Sequence, residues 1–217
     1  FPLIAYTIKA AIDSGIFQEV IVSTDSQEIA SISITYGAEV PMLRPAEIAT
    51  DTSSDIEWLH HGINSMISTS LENIENIAIL RPTSPLRKKD SILKAVSILE
   101  TNDWADSIRG MERTSKHPGK MWILDELNRA YPFLDQTSEL IPTHNRPTQT
   151  LPEIWVQNAS LEIVKLRSVL RTGSISGNNV IGFELPNLEG FDINTEEDWE
   201  YLQFLVAKDP EILATLK

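Results

Sequence analysis

Short apolar runs that close on polar residues alternate with amphipathic helical segments through the first half of the chain, and this alternation constrains the fold most strongly. Val20-Ile21-Val22 ends in Ser23-Thr24-Asp25, and Ile77-Ala78-Ile79-Leu80 runs into Arg81-Pro82-Thr83-Ser84-Pro85. Both read as buried strands with polar carboxyl ends. Ala38 to Leu43 reads as a further short strand. Between them lie helical patterns. Ile4, Ile8, Ala11 and Ile12 mark residues 3–14, ended by Gly15. Ser26 caps a helix to about Tyr36, which Gly37 stops. Ile56, Leu59, Ile63 and Ile67 share one face of residues 54–68. Ile92, Leu93, Val96 and Leu99 point inward from Lys89–Leu99. Strands alternating with helices predict an α/β layer fold with a mainly parallel sheet. Ligands of such sheets bind outside the carboxyl ends of the strands, so Ser23 to Asp25 and Arg81 to Ser84 are expected on one rim.

The second half is less regular. Ser107–Glu112, Met121–Asp125, Ala159–Val164 and Val180–Leu185 are strand candidates. Residues 128–152 are rich in Pro, Thr, Asn and Gln and predict an excursion, a lid or a dimer arm. Thr195–Val206 reads as a helix that Thr195 and Asp198 open as a capping box, and Glu211–Leu216 as a short final helix.

Charge and composition narrow the function. Lys plus Arg is 18 against 31 Asp plus Glu, a net charge of −13. Binding to a nucleic-acid backbone wants a basic face, so that class is excluded. No apolar run reaches the roughly 18 residues a membrane span needs. Cysteine is absent, which removes disulfide frameworks, thiolate zinc sites and thiol nucleophiles and fits a reducing, cytoplasmic setting. The nine glycines form no Walker loop and no GxGxxG. His60, His61, His117 and His144 show no metal-ligand spacing.

Three strings carry more information. They are Val20 to Asp25 with Ala38 to Ser54, which contains Arg44-Pro45-Ala46-Glu47; Leu80-Arg81-Pro82-Thr83-Ser84-Pro85-Leu86-Arg87; and Phe191-Asp192-Ile193-Asn194-Thr195-Glu196-Glu197-Asp198-Trp199. In this order and spacing the chain resembles the acylneuraminate cytidylyltransferase family, the CMP-sialic acid synthetases and their relatives. The resemblance covers nearly all of it. It implies a three-layer, Rossmann-like nucleotide-sugar transferase fold with a protruding dimerisation segment at about 110–150. It also implies transfer of CMP from CTP to a nonulosonic 2-keto sugar acid, with pyrophosphate released and Mg²⁺ as cofactor. Such chemistry depends on positioning and charge neutralisation.

The resemblance assigns residues as well. Asp192 matches the metal-binding Asp, and Asn194 stands where a second Asp is usual; both residues could instead only organise the helix start. Arg44 matches an Arg near the base, with pairing to Glu39 or Glu47 as the alternative. Asp51, Ser53 and Ser54 match the cytidine-contacting loop, in which Asp55 replaces a usual Ser; Ser53 or Ser54 could also cap the next helix. Arg81 replaces a usual active-site Gln and adds a cation there. Thr83 and Ser84 are hydroxyls on the same rim, and Arg87 holds the loop. Arg146 and Gln149 are candidates for the sugar carboxylate, and Asn158 keeps an Asn of the family pattern. Glu162 falls where an aromatic often stands.

The family's first strand and its Gly-, Ser- and Lys-containing phosphate loop precede the part that Pro2-Leu3-Ile4 matches, so these residues alone are expected to turn over weakly. Another nucleotide or sugar, or a non-catalytic nucleotide-binding relative, remain the alternative expectations.

Overall fold

The computed structural model describes residues 1–65, 73–134 and 141–213. Residues Phe1–Gly110 with Asn158–Lys217 form one compact unit, and Met111–Gln157 form a second. The first unit opens with α1 (Leu3–Ser14), which Gly15 ends in the left-handed region at φ 65°. α2 (Gln27–Thr35) starts on Ser26, whose hydroxyl accepts the Ile29 N–H. α3 (Asp55–Ser65) and α4 (Lys89–Glu100) follow. The expected extension of α3 to residue 68, with Ile67, lies outside the described residues.

The main sheet holds four strands: β1 (Asn76–Ile79), β2 (Ser107–Arg113), β5 (Trp155–Lys165) and β6 (Val180–Glu184), in the order β1-β5-β2-β6. β1 pairs antiparallel with β5, placing Ile79 opposite Glu162 and Asn76 opposite Lys165. An antiparallel pair thus stands inside the α/β frame. α5 (Leu166–Thr172) and α6 (Glu196–Lys208) complete the unit. Thr195 and Asp198 form the expected capping box on α6.

Several expectations are corrected. Ala38 to Leu43 is not a strand: only an isolated parallel bridge, Ile21 to Glu39, joins it to Val20–Val22. Pro41 has no N–H to donate, so the ladder cannot run on. Ile12 and Leu93, expected on buried faces, are 41% and 37% exposed. After α6 comes a 3₁₀ turn at Pro210–Ile212, and the rest of the expected last helix lies outside the described residues.

The core lies between α4 and the sheet, where Ile92, Leu99, Ile108, Leu161 and Ile163 are almost fully buried. A smaller cluster gathers Leu59, Ile63, Val164, Leu166 and Val169. Between β1 and Val20–Thr24 opens an apolar cleft of about 930 Å³, walled by Ile8, Ile21, Leu59, Ile63, Ile77 and Ile79.

The second unit carries a two-stranded antiparallel sheet of β3 (Trp122–Leu124) and β4 (Ala130–Pro132). Its remaining described part is turns, including 3₁₀ turns at Thr143–Asn145 and Thr148–Thr150.

Candidate active site

β1 ends at Ile79, and the chain leaves the sheet through Arg81 to Pro85. A single buried cation ties this exit down. Arg87 donates from Nε to the Ser160 carbonyl, and from Nη2 to the Arg81 carbonyl at 2.9 Å. Its Nη1 lies 3.5 Å from the Thr7 hydroxyl. Burial lowers the Arg87 pKa to about 9, against the opposing pull of Glu189 and Asp192. Glu189 accepts the Lys88 N–H at 3.0 Å, and its carbonyl accepts the Ser160 hydroxyl at 2.6 Å. Arg87 thus holds the exit loop, as its sequence position implied, from inside the fold.

The segment before α6 docks on this loop. The Ile193 N–H donates to the Thr83 carbonyl at 2.9 Å, and the buried Ser84 hydroxyl donates to Asp192 Oδ1 at 3.2 Å. Residues 108 positions apart in sequence therefore meet. Asn194 Nδ2 donates to Asp192 Oδ2 at 3.0 Å, while its own N–H donates to Asp198. Mg²⁺ ordinarily takes one or two carboxylates together with substrate phosphates. Asp192 offers one carboxylate beside the amide of Asn194. Among the described residues no group of three or more His, Asp or Glu side chains could hold a metal. This donor set fits an ion shared with a phosphate, and does not fit one caged by protein alone.

An ion-paired chain runs beside the loop. Arg81 grips Asp55 with both terminal nitrogens, at 2.7 and 3.3 Å. Its Nη2 also reaches Glu162 at 3.3 Å, and Glu162 in turn accepts from Arg109. Desolvation works against the Asp55 carboxylate, but the Arg81 hydrogen bonds and charge, with Trp58 and Arg109, hold it below the usual carboxylate range. Desolvation likewise works against the Arg81 charge, and Asp55 and Glu162 outweigh it, raising its pKa. The cation expected at Arg81 is present, with two carboxylates on it.

Asp55 connects this chain to the other strand exit. Its Oδ1 accepts the Trp58 indole N–H at 3.0 Å, and the Arg44 guanidinium lies 5.7 Å from the Trp58 ring centroid. Arg44 donates to the Ser23 carbonyl at 2.6 Å and to the Ser23 hydroxyl at 3.0 Å, rather than pairing with Glu39 or Glu47. Burial lowers its pKa, against Asp25 and Asp55. Ser23, Arg44, Trp58, Asp55 and Arg81 thus form one continuous rim across both strand exits, as the polar strand ends implied.

The remaining candidates sit as follows. Asp51 is exposed in a turn, and Ser53 accepts the Thr50 N–H at 2.9 Å. Ser54 donates its N–H and its hydroxyl to Glu57, both at 2.8 Å, bracing the start of α3. Asn158 Oδ1 accepts the Ser160 N–H, and its Nδ2 is buried without a hydrogen-bond partner among the described residues. A Cβ at Gly110 would fall 2.6 Å from Asn158 Oδ1, so a larger residue there would displace that side chain. Arg146 and Gln149 belong to the Met111–Gln157 unit. There Arg146 donates to the Thr150 carbonyl at 3.3 Å, and Gln149 is exposed in a 3₁₀ turn. Of these site residues, Arg109 escapes a sequence reading. A lone Arg in an otherwise uncharged strand start, Ser107-Ile108-Arg109-Gly110, was the available signal that a buried acid must face it.

Polar exits gathered at the end of an α/β sheet mark the edge where such folds bind their ligands. The cytidylyltransferase family model matches residues 1–118. The chain is 32% identical over 216 residues to the CMP-N,N'-diacetyllegionaminic acid synthase of Legionella pneumophila, covering 98% of this chain and 88% of that one. It is 32% identical over 200 residues to the N-acylneuraminate cytidylyltransferase of Escherichia coli, covering 92% of this chain and only 44% of that protein. The pseudaminic acid cytidylyltransferase of Campylobacter jejuni is 26% identical over 97% of this chain and 87% of its own. A solved CMP:2-keto-3-deoxy-manno-octonic acid synthetase complexed with CTP shares the fold, with a TM-score of 0.61 at 12% identity over 96% of this chain and 88% of that one. The chain belongs to the cytidylyltransferase family and is a nucleotidyltransferase.

Proposed function

We propose that the protein transfers CMP from CTP to a nonulosonic sugar acid and releases pyrophosphate. The observation that carries this is the docking of Asp192 and Ile193 onto Ser84 and Thr83, which sets a carboxylate at the strand exit where a triphosphate would lie. Relatives named for legionaminic, neuraminic and pseudaminic acids support the acceptor class.

In the reaction the anomeric hydroxyl of the acid attacks the α-phosphorus. A new P–O bond forms, the hydroxyl proton departs, and the bond to the β-phosphate oxygen breaks. The protein's part is to bind and align. Arg44, Asp51, Ser53, Ser54 and Asp55 take the nucleotide side. Thr83, Ser84 and Asn158 take the acid. Asp192, with the Asn194 amide oxygen, would hold Mg²⁺ against the phosphates, and that ion when bound supplies charge neutralisation. Arg81, its charge matched by Asp55 and Glu162, offers hydrogen-bond donors at the same edge. A homodimer formed through Met111–Gln157, working in the cytoplasm, completes the proposal. Its exposed Trp122, Ile123, Leu127 and Tyr131 suit an interface.

The test is pyrophosphate release by the protein expressed from its complete coding sequence, with CTP, Mg²⁺ and a panel of nonulosonic acids. Release that depends on the acid and stops with EDTA is expected. No release with any acid overturns the proposal. A parallel panel of GTP, UTP and ATP addresses the other-nucleotide alternative, which Arg81 and Asp55 motivate; preference for one of these would replace CTP as donor.

A further inference from the structure

We propose that Asp55, Arg81, Glu162 and Arg109 act as one specificity-determining unit, a charge-neutral wall that selects acceptor acids presenting a neutral hydrogen-bonding substituent, such as an acylamino or hydroxyl group, over acids that bring a second anion there. This rests on the acceptor chemistry proposed above and adds to it which feature of the acceptor is read.

Four elements contribute one member each: the start of α3, the exit of β1, β5 and β2. Side-chain exposure drops from 34% at Asp55 and 31% at Arg81 to 9% at Glu162 and 12% at Arg109. The inner pair is an anchor and the outer pair faces the rim. Ion pairs this exposed contribute little to stability, so stability alone does not account for the outer half. Position does better. Arg81 belongs to the loop that Asp192 docks on, and its own carbonyl is clamped by Arg87.

Charge bookkeeping sets the selectivity. Two guanidinium groups meet two carboxylates, so the wall carries no net charge. The Arg81 charge is already matched by Asp55 and Glu162, and a second substrate anion arriving here would face both carboxylates. What remains on offer is directional. A guanidinium has five N–H donors. Arg81 uses Nη1 once and Nη2 twice, and its Nε–H has no acceptor among the described residues. A carbonyl or hydroxyl oxygen is the partner such a donor takes. Swapping Arg81 for a group without the fork would therefore unseat Asp55 and Glu162 together.

The experiment measures kcat and KM for each of several nonulosonic acids, and KM for CTP, in the wild-type protein and in Arg81→Gln, Asp55→Asn and the double variant. Arg81→Gln is expected to raise KM for acylamino-bearing acids about tenfold or more, to change their rank order, and to move KM for CTP less than about twofold. The double variant is expected to resemble Arg81→Gln alone, because members of one network are non-additive. Equal changes in KM for CTP and for every acid, or strictly additive effects, would overturn the unit. If Arg81→Gln fails to fold by thermal melt, Arg81→Lys, which keeps the charge and loses the fork, is read by the same criteria. Wild-type turnover with an unchanged acid ranking in the variant sinks this inference alone. A wild type that turns over no acid sinks the acceptor reading with it.

Discussion

The core against α4 and the edge of the sheet beyond β1 are made from the same kinds of residue and are packed very differently. On the α4 side, Ile92, Leu99, Leu161 and Ile163 are at most 1% exposed. Beyond β1, Ile21 and Ile77 are only partly buried and wall a cleft of about 930 Å³. The difference lies in strand pairing. β5 is flanked by β1 and β2, so both of its edges are used and its side chains interdigitate with α4. β1 is an edge strand, and Val20–Val22 is bridged only to Glu39. Apolar composition alone does not create density; it needs a ladder to bring the side chains to packing distance.

Paired truncations give the largest expected contrast. Leu161→Ala removes a fully buried side chain from a dense core, and should cost about 2–5 kcal/mol in urea unfolding. Ile21→Ala, on the cleft wall, should cost below about 1 kcal/mol, because few contacts are lost and no new cavity opens. Equal costs at the two positions would mean that the cleft is as tightly packed as the core in solution.

A smaller effect comes from an acid buried against α5. Asp106 accepts the Ser168 hydroxyl at 2.6 Å and the N–H groups of Asn178 and Asn179 at 2.8 and 3.0 Å, and it pairs with Arg171. Gly177 passes so close that a Cβ would fall 2.3 Å from the Asp106 side chain. The Ser168 hydrogen bond first, then those N–H bonds, with the Arg171 charge, hold its carboxyl well below the usual carboxylate range. Because the folded pKa lies below the unfolded one, this stabilisation is complete above about pH 4 and is lost as pH falls further. Asp106→Asn should cost roughly 2 kcal/mol at pH 7 and flatten the acid limb of the stability profile. An unchanged acid limb would assign acid unfolding to the rim carboxylates, Asp55 foremost.

The same contrast governs what could be read beforehand. Helical periodicity found α1, α2, α3 and α4, and the polar strand ends marked the shared rim. α5 was missed: it has 7 residues and no side-chain cap at its start, and Gly173, left-handed at φ 64°, was its only firm signal. Ala38 to Leu43 carried strand-like residues without a partner to pair with, and pairing is a tertiary fact. In the site, Asp192, Ser84 and Arg81 could be nominated from their strings. Their meeting across 108 positions is set by docking that no local pattern encodes. The Asp55–Arg81–Glu162–Arg109 chain is likewise invisible locally, because its members come from four separate elements.

The smallest effect tests whether the rim-side start of α6 is as independent of the dense core as the packing contrast implies. Thr195 accepts the Asp198 N–H at 3.2 Å, and Asp198 Oδ2 accepts the N–H groups of Asn194 and Thr195 at 3.0 and 2.9 Å. Thr195→Ala removes one acceptor from a solvent-exposed helix start, so the cost should be about 1 kcal/mol, with no cavity contribution. Hydrogen exchange should then quicken at Thr195 to Trp199, while amides of β5 keep their protection. Faster exchange in β5 would show that the docking of Asp192 and Ile193 on the exit loop transmits the loss inward, and that rim and core share one cooperative unit.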